Sequence, residues 1–422
     1  MSSSDQYSTA AALPADEYAA DRFVSGPSAE AELPPELYAE TRELLAAVVK
    51  ARQFSLASGE LAIEHSNDLG GVLKFLNNPE LHDSEGRDLS FDKRSFSRTE
   101  LRVAGQLAKG AGDSQGASVN DAATVEYLLY RYRFNDYPRR GKVGAFPLLL
   151  AVEPTSVCNL RCIMCFQADP RLSEAPALQG FMDFDLYRRV IDEAASHNLP
   201  ALVLASRGEP LLHKEIFRMI RYAKNAGIQD IKLNTNVTAL TCDRSRALLE
   251  SGVDTVVFSV DAAVKEQFER IRPGASFERV VRNIQEFNDI RRREYPHVRM
   301  RSRIYMILLD SSQDTLAAAE FWRGLTDEFA SRPAISRLNV YEMSGVSGKR
   351  PCSLLWERLY VWWDGKVNVC DEDYLSHLAL GNLNDGLTVQ ELWHGSKMTA
   401  YRESHRAGRK DEWSPCRNCP GF

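Results

Sequence analysis

The sequence predicts an α/β fold: a partial (β/α)6 TIM-like barrel with a helical N-terminal region and a small C-terminal domain. Three observations carry this. Six short strand-like runs recur between residues 146 and 341, and amphipathic helical runs separate them. The cysteines fall in groups, one just behind the first run and one beyond the last. At 422 residues the chain is long enough for two or three domains.

Phe146 to Val152 (FPLLLAV) is a short apolar run between Gly144 and Pro154, the pattern of a buried strand. The further strands are expected at Ala201 to Ala205, Ile231 to Thr235, Thr255 to Val260, Val298 to Ile307 and Ile335 to Tyr341. Helices are expected at Phe184 to Ala195, Lys214 to Ala226, Phe277 to Arg293 and Thr315 to Phe329. Alternation at this spacing means parallel β/α units, six of them rather than the eight of a closed barrel. The chain divides into a tail (1–32), a helical region (33–140), the barrel (141–345) and a C-terminal domain (346–422). The tail is rich in Ala, Ser and acidic residues and is expected to be disordered. Pro35 opens a helix with Leu37, Leu44, Leu45, Val48 and Val49 on one stripe, and Ala122 to Phe134 is a second helix. This region is expected to cap a substrate or to make a homodimer. The glycine-rich stretch Lys109 to Gly116 misses the GxGxxG spacing by one position and has no strand before it, so it is set aside.

Composition removes several classes of function. With 44% apolar and 26% charged residues the chain is an ordinary globular protein. Its formal charge is -6 without a basic block, which argues against a nucleic-acid partner. Arg291, Arg292 and Arg293 end a helix, where cations suit the dipole. The first residues lack the basic and apolar regions of a signal peptide, and the run around Phe146 is too short to cross a bilayer. No membrane association is expected. The expected location is the cytoplasm, where thiols stay reduced and clustered cysteines serve metals or catalysis.

There are eight cysteines. Cys158, Cys162 and Cys165 form a CxxxCxxC triplet, Cys352, Cys370, Cys416 and Cys419 lie near the C-terminus, and Cys242 stands alone. Three thiolates on one short loop can wrap one face of an iron–sulfur cluster and leave one iron open. Zinc, the alternative, takes four ligands in a closed site, and no histidine stands near the triplet.

The segment EPTSVCNLRCIMCFQ resembles the cluster loop of the radical S-adenosylmethionine (SAM) superfamily. The resemblance spans Phe146 to Glu342 and implies a 4Fe–4S cluster on Cys158, Cys162 and Cys165. Its open iron would bind SAM, which is split to methionine and a 5′-deoxyadenosyl radical. Met164 stands where the family often has an aromatic residue. Family motifs follow at the ends of successive strands, where a barrel keeps its working residues. Arg207-Gly208-Glu209-Pro210 resembles GGEP, which implies that Gly208, Glu209 and Pro210 hold the SAM ammonium group. Asn234-Thr235-Asn236 resembles TNG, with Asn236 expected in a left-handed turn. Ser259 and Asp261 resemble the pair that meets the ribose or the methionine carboxylate, and Arg303 is placed to neutralise that carboxylate. Asp310, Tyr341 and Glu342 are candidates for a base by position only.

In the C-terminal domain, Leu359 to Trp363 and Lys366 to Val369 flank an Asp364-Gly365 turn and predict a hairpin. Trp362 and Trp363 are read as the alternating faces of a strand. Cys352, Cys370, Cys416 and Cys419 resemble the SPASM region in its short twitch form, which implies a second, auxiliary 4Fe–4S cluster. A zinc ribbon is the alternative. Cys242 follows Thr241 at a predicted helix start, where a thiol pKa is lowered, but a passive surface thiol is the preferred reading over a hydrogen donor. The resemblance implies an enzyme acting on a small hydroxyl-rich molecule such as a sugar, aminosugar or aminocyclitol, by oxidation or a related dehydration or epimerisation. A peptide maturase is the second reading, and a non-enzymatic zinc or iron–sulfur protein the third. The implied partners are a small-molecule substrate and an electron donor such as flavodoxin or ferredoxin.

Overall fold

The computed structural model describes residues 41–50, 60–77, 100, 103–105, 121–334, 340–342 and 350–419. The tail, the Pro35 and Leu37 start of the first helix and the Lys109 to Gly116 stretch lie outside these residues. One mixed sheet of nine strands organises them, in the order β6-β5-β4-β3-β2-β1-β7-β8-β9. Its strands are β1 (Leu149–Val152), β2 (Ala201–Leu204), β3 (Asp230–Thr235), β4 (Thr255–Ser259), β5 (Arg301–Leu308), β6 (Glu328–Pro333), β7 (Arg358–Val361), β8 (Lys366–Asn368) and β9 (Gly381–Asn382). Strands β1 to β6 pair in parallel, each with its successor in sequence. This is the open barrel that the strand–helix alternation predicts.

The sheet is covered on both faces, which explains why β1 is buried along its whole length. On one face Leu150, Val152, Leu202, Leu204, Ile231, Leu233, Val256 and Phe258 join the core made with the crossover helices. Those helices have signals that the sequence carries. Asp183 caps Phe184–Ser196 by accepting from the amides of Asp185 and Leu186, and Ser276 caps Phe277–Glu294. On the other face Leu149, Ala151, Ala201, Tyr360 and Trp362 pack with Leu45, Val49, Leu69, Val72, Leu128 and Leu129 of the N-terminal helices. The described N-terminal helices are therefore built into the sheet's second core rather than standing apart. Buried Asp68 pins it, accepting from Arg133 Nε (2.9 Å) and the Tyr137 hydroxyl (2.8 Å).

Two expectations need correction. The sixth strand is Glu328–Pro333, not Ile335 to Tyr341; residues 335–339 lie outside the described set, and Tyr341 stands in a turn. The helix before it is Thr315–Trp322 rather than reaching Phe329. Gly324, at φ 76°, takes a left-handed conformation that stops the helix and turns the chain into β6.

The C-terminal hairpin forms about the Asp364-Gly365 turn, with Gly365 at φ 85°. Its first strand, β7, lies parallel to β1 in register Leu149↔Arg358, so the C-terminal segment continues the barrel sheet. Trp362 is fully buried against the N-terminal helices, while Trp363 packs toward the opposite core. Both stand just past the end of β7, entering the hairpin turn rather than within a strand, yet they face opposite cores.

Candidate functional site

The cysteine triplet follows β1 directly. Its loop is held by main-chain bonds to a neighbouring turn, Arg161 N to Pro273 O (3.3 Å) and Ile163 N to Ile271 O (3.0 Å). Cys162 is buried; Cys158 and Cys165 are half-buried. Burial pushes the Cys158 thiol up to about 12 and raises the Cys162 thiol as well. Such thiols become thiolates when a metal supplies the compensating charge. Polar contacts already reach the sulfurs. The Arg272 guanidinium lies 3.7 Å from Cys162 Sγ and Asn236 Nδ2 lies 3.9 Å from Cys158 Sγ.

The Arg207-Gly208-Glu209-Pro210 segment closes against this loop. Glu209 N donates to Val157 O (2.9 Å). A β-carbon at Gly208 would fall 2.2 Å from Thr155 O and 2.7 Å from Val157 O, so only glycine permits the approach. Glu209 is buried, and Pro210 opens the turn that Glu209 caps through Leu211 N (3.0 Å). The carboxylate also accepts from Thr235 Oγ1 (2.7 Å) and Asn236 N (2.6 Å), so its own turn and the end of β3 hold it from two sides. Desolvation raises its pKa, and those donors oppose the rise. A buried carboxylate satisfied only by neutral donors at hydrogen-bond distance is ready for a cation.

Several predicted site residues stand differently from expectation. Asn236 does not take the left-handed turn; the next residue, Val237, does, at φ 69°. Asn236 instead uses its amide to bridge Asn159 (3.0 Å) and accepts from Thr238 N. Both oxygens of Asp261 are engaged within the protein, Oδ2 by Arg272 Nε (2.6 Å) and Oδ1 by Ile307 N (2.8 Å). Asp261 thereby aims Arg272 at Cys162. Arg303 is paired with Glu328, its Nε 2.6 Å from Oε2. Ser259 ends β4 and is half-buried. Tyr341 donates to Asp373 (3.0 Å), and burial holds its phenol far above the ordinary value. Asp310 is exposed and bonded to Ser312, and Glu342 pairs with Arg171. Cys242 does start a helix capped by Thr241, but its thiol donates to Glu286 (3.4 Å), and that bond raises the pKa rather than lowering it.

Arg207, Glu153, Gln167 and Arg272 escaped the sequence reading. Arg207 and Glu153 form a buried bidentate pair, Nε to Oε2 at 2.7 Å and Nη2 to Oε1 at 2.6 Å. Arg207 Nη1 also donates to Tyr374 O (3.0 Å), and its guanidinium lies 4.5 Å from the Trp362 ring centroid. Gln167 bridges Ser156 O and Arg207 O. The one available signal was the arginine standing where GGEP has glycine. A replacement so large inside a tight motif needs a buried partner.

The C-terminal cysteines meet around a second site. Cys352, Cys370, Cys416 and Cys419 line one cavity with Leu355, Val369, Leu378 and Pro415. Burial pushes Cys416 up to about 12 and Cys352 and Cys370 well above the ordinary thiol value. Among the described residues no three His, Cys, Asp or Glu side chains close around a single metal-ion position. The loop after Cys370 reaches back to the first site. The Tyr374 ring stacks on Phe166 with centroids 5.5 Å apart, and its hydroxyl donates to Asp169 (2.5 Å).

The sequence model of the radical SAM superfamily matches residues 152–320, and that of an iron–sulfur cluster-binding domain (SPASM) matches residues 352–420. The chain belongs to the radical SAM superfamily. Among curated proteins, this radical SAM protein is 38% identical over 152 residues to an AdoMet-dependent heme synthase of Methanosarcina barkeri, covering 36% of this chain and 41% of that one. It is 38% identical over 113 residues to a tungsten-containing aldehyde ferredoxin oxidoreductase cofactor-modifying protein of Pyrococcus furiosus, covering 26% and 30%. The matches thus span well under half the length of these two relatives. An S-adenosyl-L-methionine-dependent 2-deoxy-scyllo-inosamine dehydrogenase of Niallia circulans is 24% identical over 279 residues, covering 64% of this chain and 92% of the relative. Among solved structures, BtrN in complex with AdoMet and 2-DOIA is similar at TM-score 0.43 and 18% identity, over 66% of this chain and 94% of that one. Streptococcus suis SuiB bound to precursor peptide SuiA is similar at TM-score 0.47 and 15% identity, over 79% and 83%.

The cofactors of this radical SAM protein are a 4Fe–4S cluster that binds SAM, SAM itself and an auxiliary iron–sulfur cluster in the C-terminal domain. The donor sets fit them: three thiols on an open loop, and four thiols lining one cavity. Among the described residues no helix is long and apolar enough to cross a membrane.

Glu209→Ala is expected to weaken SAM binding at least tenfold while leaving the iron content intact. The lost group would face the ligand's ammonium, and removing one partner of a buried charge pair costs about 2–5 kcal/mol. Equilibrium dialysis with labelled SAM and an iron assay on the same sample check both halves.

Proposed function

We propose that the protein oxidises a secondary alcohol of a small hydroxyl-rich substrate, such as an aminosugar or aminocyclitol, to a ketone. The observation that carries this reading is the cavity lined by four thiols, whose Cys370 segment runs on to Tyr374, stacked on Phe166 behind the triplet. Four ligands fill a cluster's coordination, which suits an electron acceptor better than a substrate-binding iron. The extended similarity to the 2-deoxy-scyllo-inosamine dehydrogenase supports the substrate class.

A carbinol carbon that has given up its hydrogen atom must still lose one electron and the hydroxyl proton to become a ketone. When bound, the two clusters and SAM would supply the radical that takes the hydrogen atom and the acceptor that takes the electron, and the hydroxyl proton would leave to solvent. The chain's own residues hold these groups in place. Cys158, Cys162 and Cys165 hold the first cluster, with Arg272 and Asn236 against two of its thiolates. Glu209, with Gly208 and Pro210 shaping its turn, would meet the SAM ammonium group, and Ser259, at the end of β4, would contribute a further SAM contact. Cys352, Cys370, Cys416 and Cys419 hold the auxiliary cluster. An external one-electron donor such as flavodoxin or ferredoxin starts the cycle.

The test uses 2-deoxy-scyllo-inosamine and related aminocyclitols and aminosugars, each deuterated at the carbinol carbon. The expected result is one deuterium in 5′-deoxyadenosine for each ketone formed. Deuterium transfer without a ketone, giving an epimer or a dehydrated product, would overturn the oxidation.

A further inference from the structure

His405 sits in the last turn of helix Ser396–Arg406 and lines the four-thiol cavity. It is 2% exposed. Its Nδ1 accepts a hydrogen bond from the backbone N–H of Cys352 at 3.2 Å. A ring nitrogen that accepts carries no proton, so the imidazole is the neutral tautomer with its hydrogen on Nε2. That Nε2 is buried and has no hydrogen-bond partner among the described residues. Buried N–H groups are almost always satisfied, so an orphan at the wall of a cluster cavity marks where its acceptor belongs.

We propose that His405 Nε2–H donates a hydrogen bond to a sulfur of the auxiliary cluster and raises its reduction potential. This rests on the reading of Cys352, Cys370, Cys416 and Cys419 as the cluster's ligands. One imidazole then serves both roles, its Nδ1 taking the amide of Cys352 and its unpartnered Nε2–H left for the cluster. Hydrogen bonds to cluster sulfurs offset the negative charge gained on reduction, one of the terms that set a cluster's potential. His405 is thus a positioning residue that makes the auxiliary cluster a better electron acceptor. Of its neighbours on the wall, Leu355, Val369 and Leu378 offer no donor, while Lys410 and Glu372 also line the cavity.

The test uses the full-length chain carrying Cys158→Ala, Cys162→Ala and Cys165→Ala, so that the auxiliary cluster alone titrates. About four irons per chain are expected; a parent without iron would mean that the cluster reading itself has failed. Anaerobic redox titration followed by EPR then compares His405→Phe and His405→Gln with this parent. His405→Phe should lower the reduced-to-oxidised ratio at a fixed potential about tenfold, a shift of about 59 mV for one electron. His405→Gln keeps a donor and should restore most of it. An unchanged midpoint in His405→Phe with its four irons present overturns the proposal. Should His405→Phe lose its iron, the parent labelled with 15N-histidine decides. A weak 15N coupling to the reduced cluster, lost in His405→Gln, is expected; no coupling, or the strong coupling of a direct ligand, overturns it.

Discussion

Cys162→Ala is expected to abolish 5′-deoxyadenosine formation and to lower the iron content from about eight to about four per chain, the share of one cluster. Cys162 is the buried member of the triplet, and Arg272 and Asp261 are aligned on it. Its loss removes a ligand from a site that has only three. Cys416→Ala should separate the two sites in the opposite sense: SAM is still cleaved, with or without substrate, but little ketone forms. The control concerns folding, because a cluster that organises a small segment also stabilises it. Here the segment has support of its own, since β7 is paired with β1 and the Tyr374 loop is packed on Phe166. A soluble Cys416→Ala protein with about four irons and normal SAM binding is therefore expected. If that protein turned substrate over at the wild-type rate, the auxiliary cluster would be structural and the alcohol oxidation would lose its support.

The second large effect concerns stability. Arg207→Ala should destabilise the protein by about 3–5 kcal/mol, the range for removing one partner of a buried ion pair. Glu153 would remain with 0% exposure, without its bidentate partner, and Tyr374 O would lose its donor. Replacing both at once, Glu153→Leu with Arg207→Met, should cost less than Arg207→Ala alone. The desolvation of two charges disappears together with their attraction, so a well-packed apolar pair often comes out near neutral. Chemical denaturation of the three variants measures this. An Arg207→Ala protein as stable as the double variant would mean that the pair has no structural weight. Because Arg207 joins the Glu209 turn to the loop after Cys370, the single variant should also weaken SAM binding.

The sequence by itself determined what depends on local spacing. Three thiols within eight residues have few geometries available to them, and short apolar runs bounded by turn residues and alternating with amphipathic helices mark buried strands. The alternation, the hairpin about Gly365, the closeness of Gly208 and Glu209 to the triplet loop and the convergence of four C-terminal cysteines on one cavity were therefore legible. The sixth strand was misplaced because Ile335 to Tyr341 has the composition of a strand, whereas Glu328–Pro333 becomes one through pairing with β5. Pairing is a long-range property and leaves a weak local trace. What only the tertiary structure decided is partnership across long separations. Asp261 and Arg303 have the right types and strand positions for binding SAM, but Arg272 and Glu328 already hold them. Glu153 and Arg207 are 54 residues apart, and no periodicity relates them. The junction of the C-terminal segment with the barrel rests on β7 adding to β1, 209 positions away in register. Burial is the physical reason: a charged side chain inside a protein must find its counterpart wherever the fold brings one, and the sequence records the two residues but not their meeting.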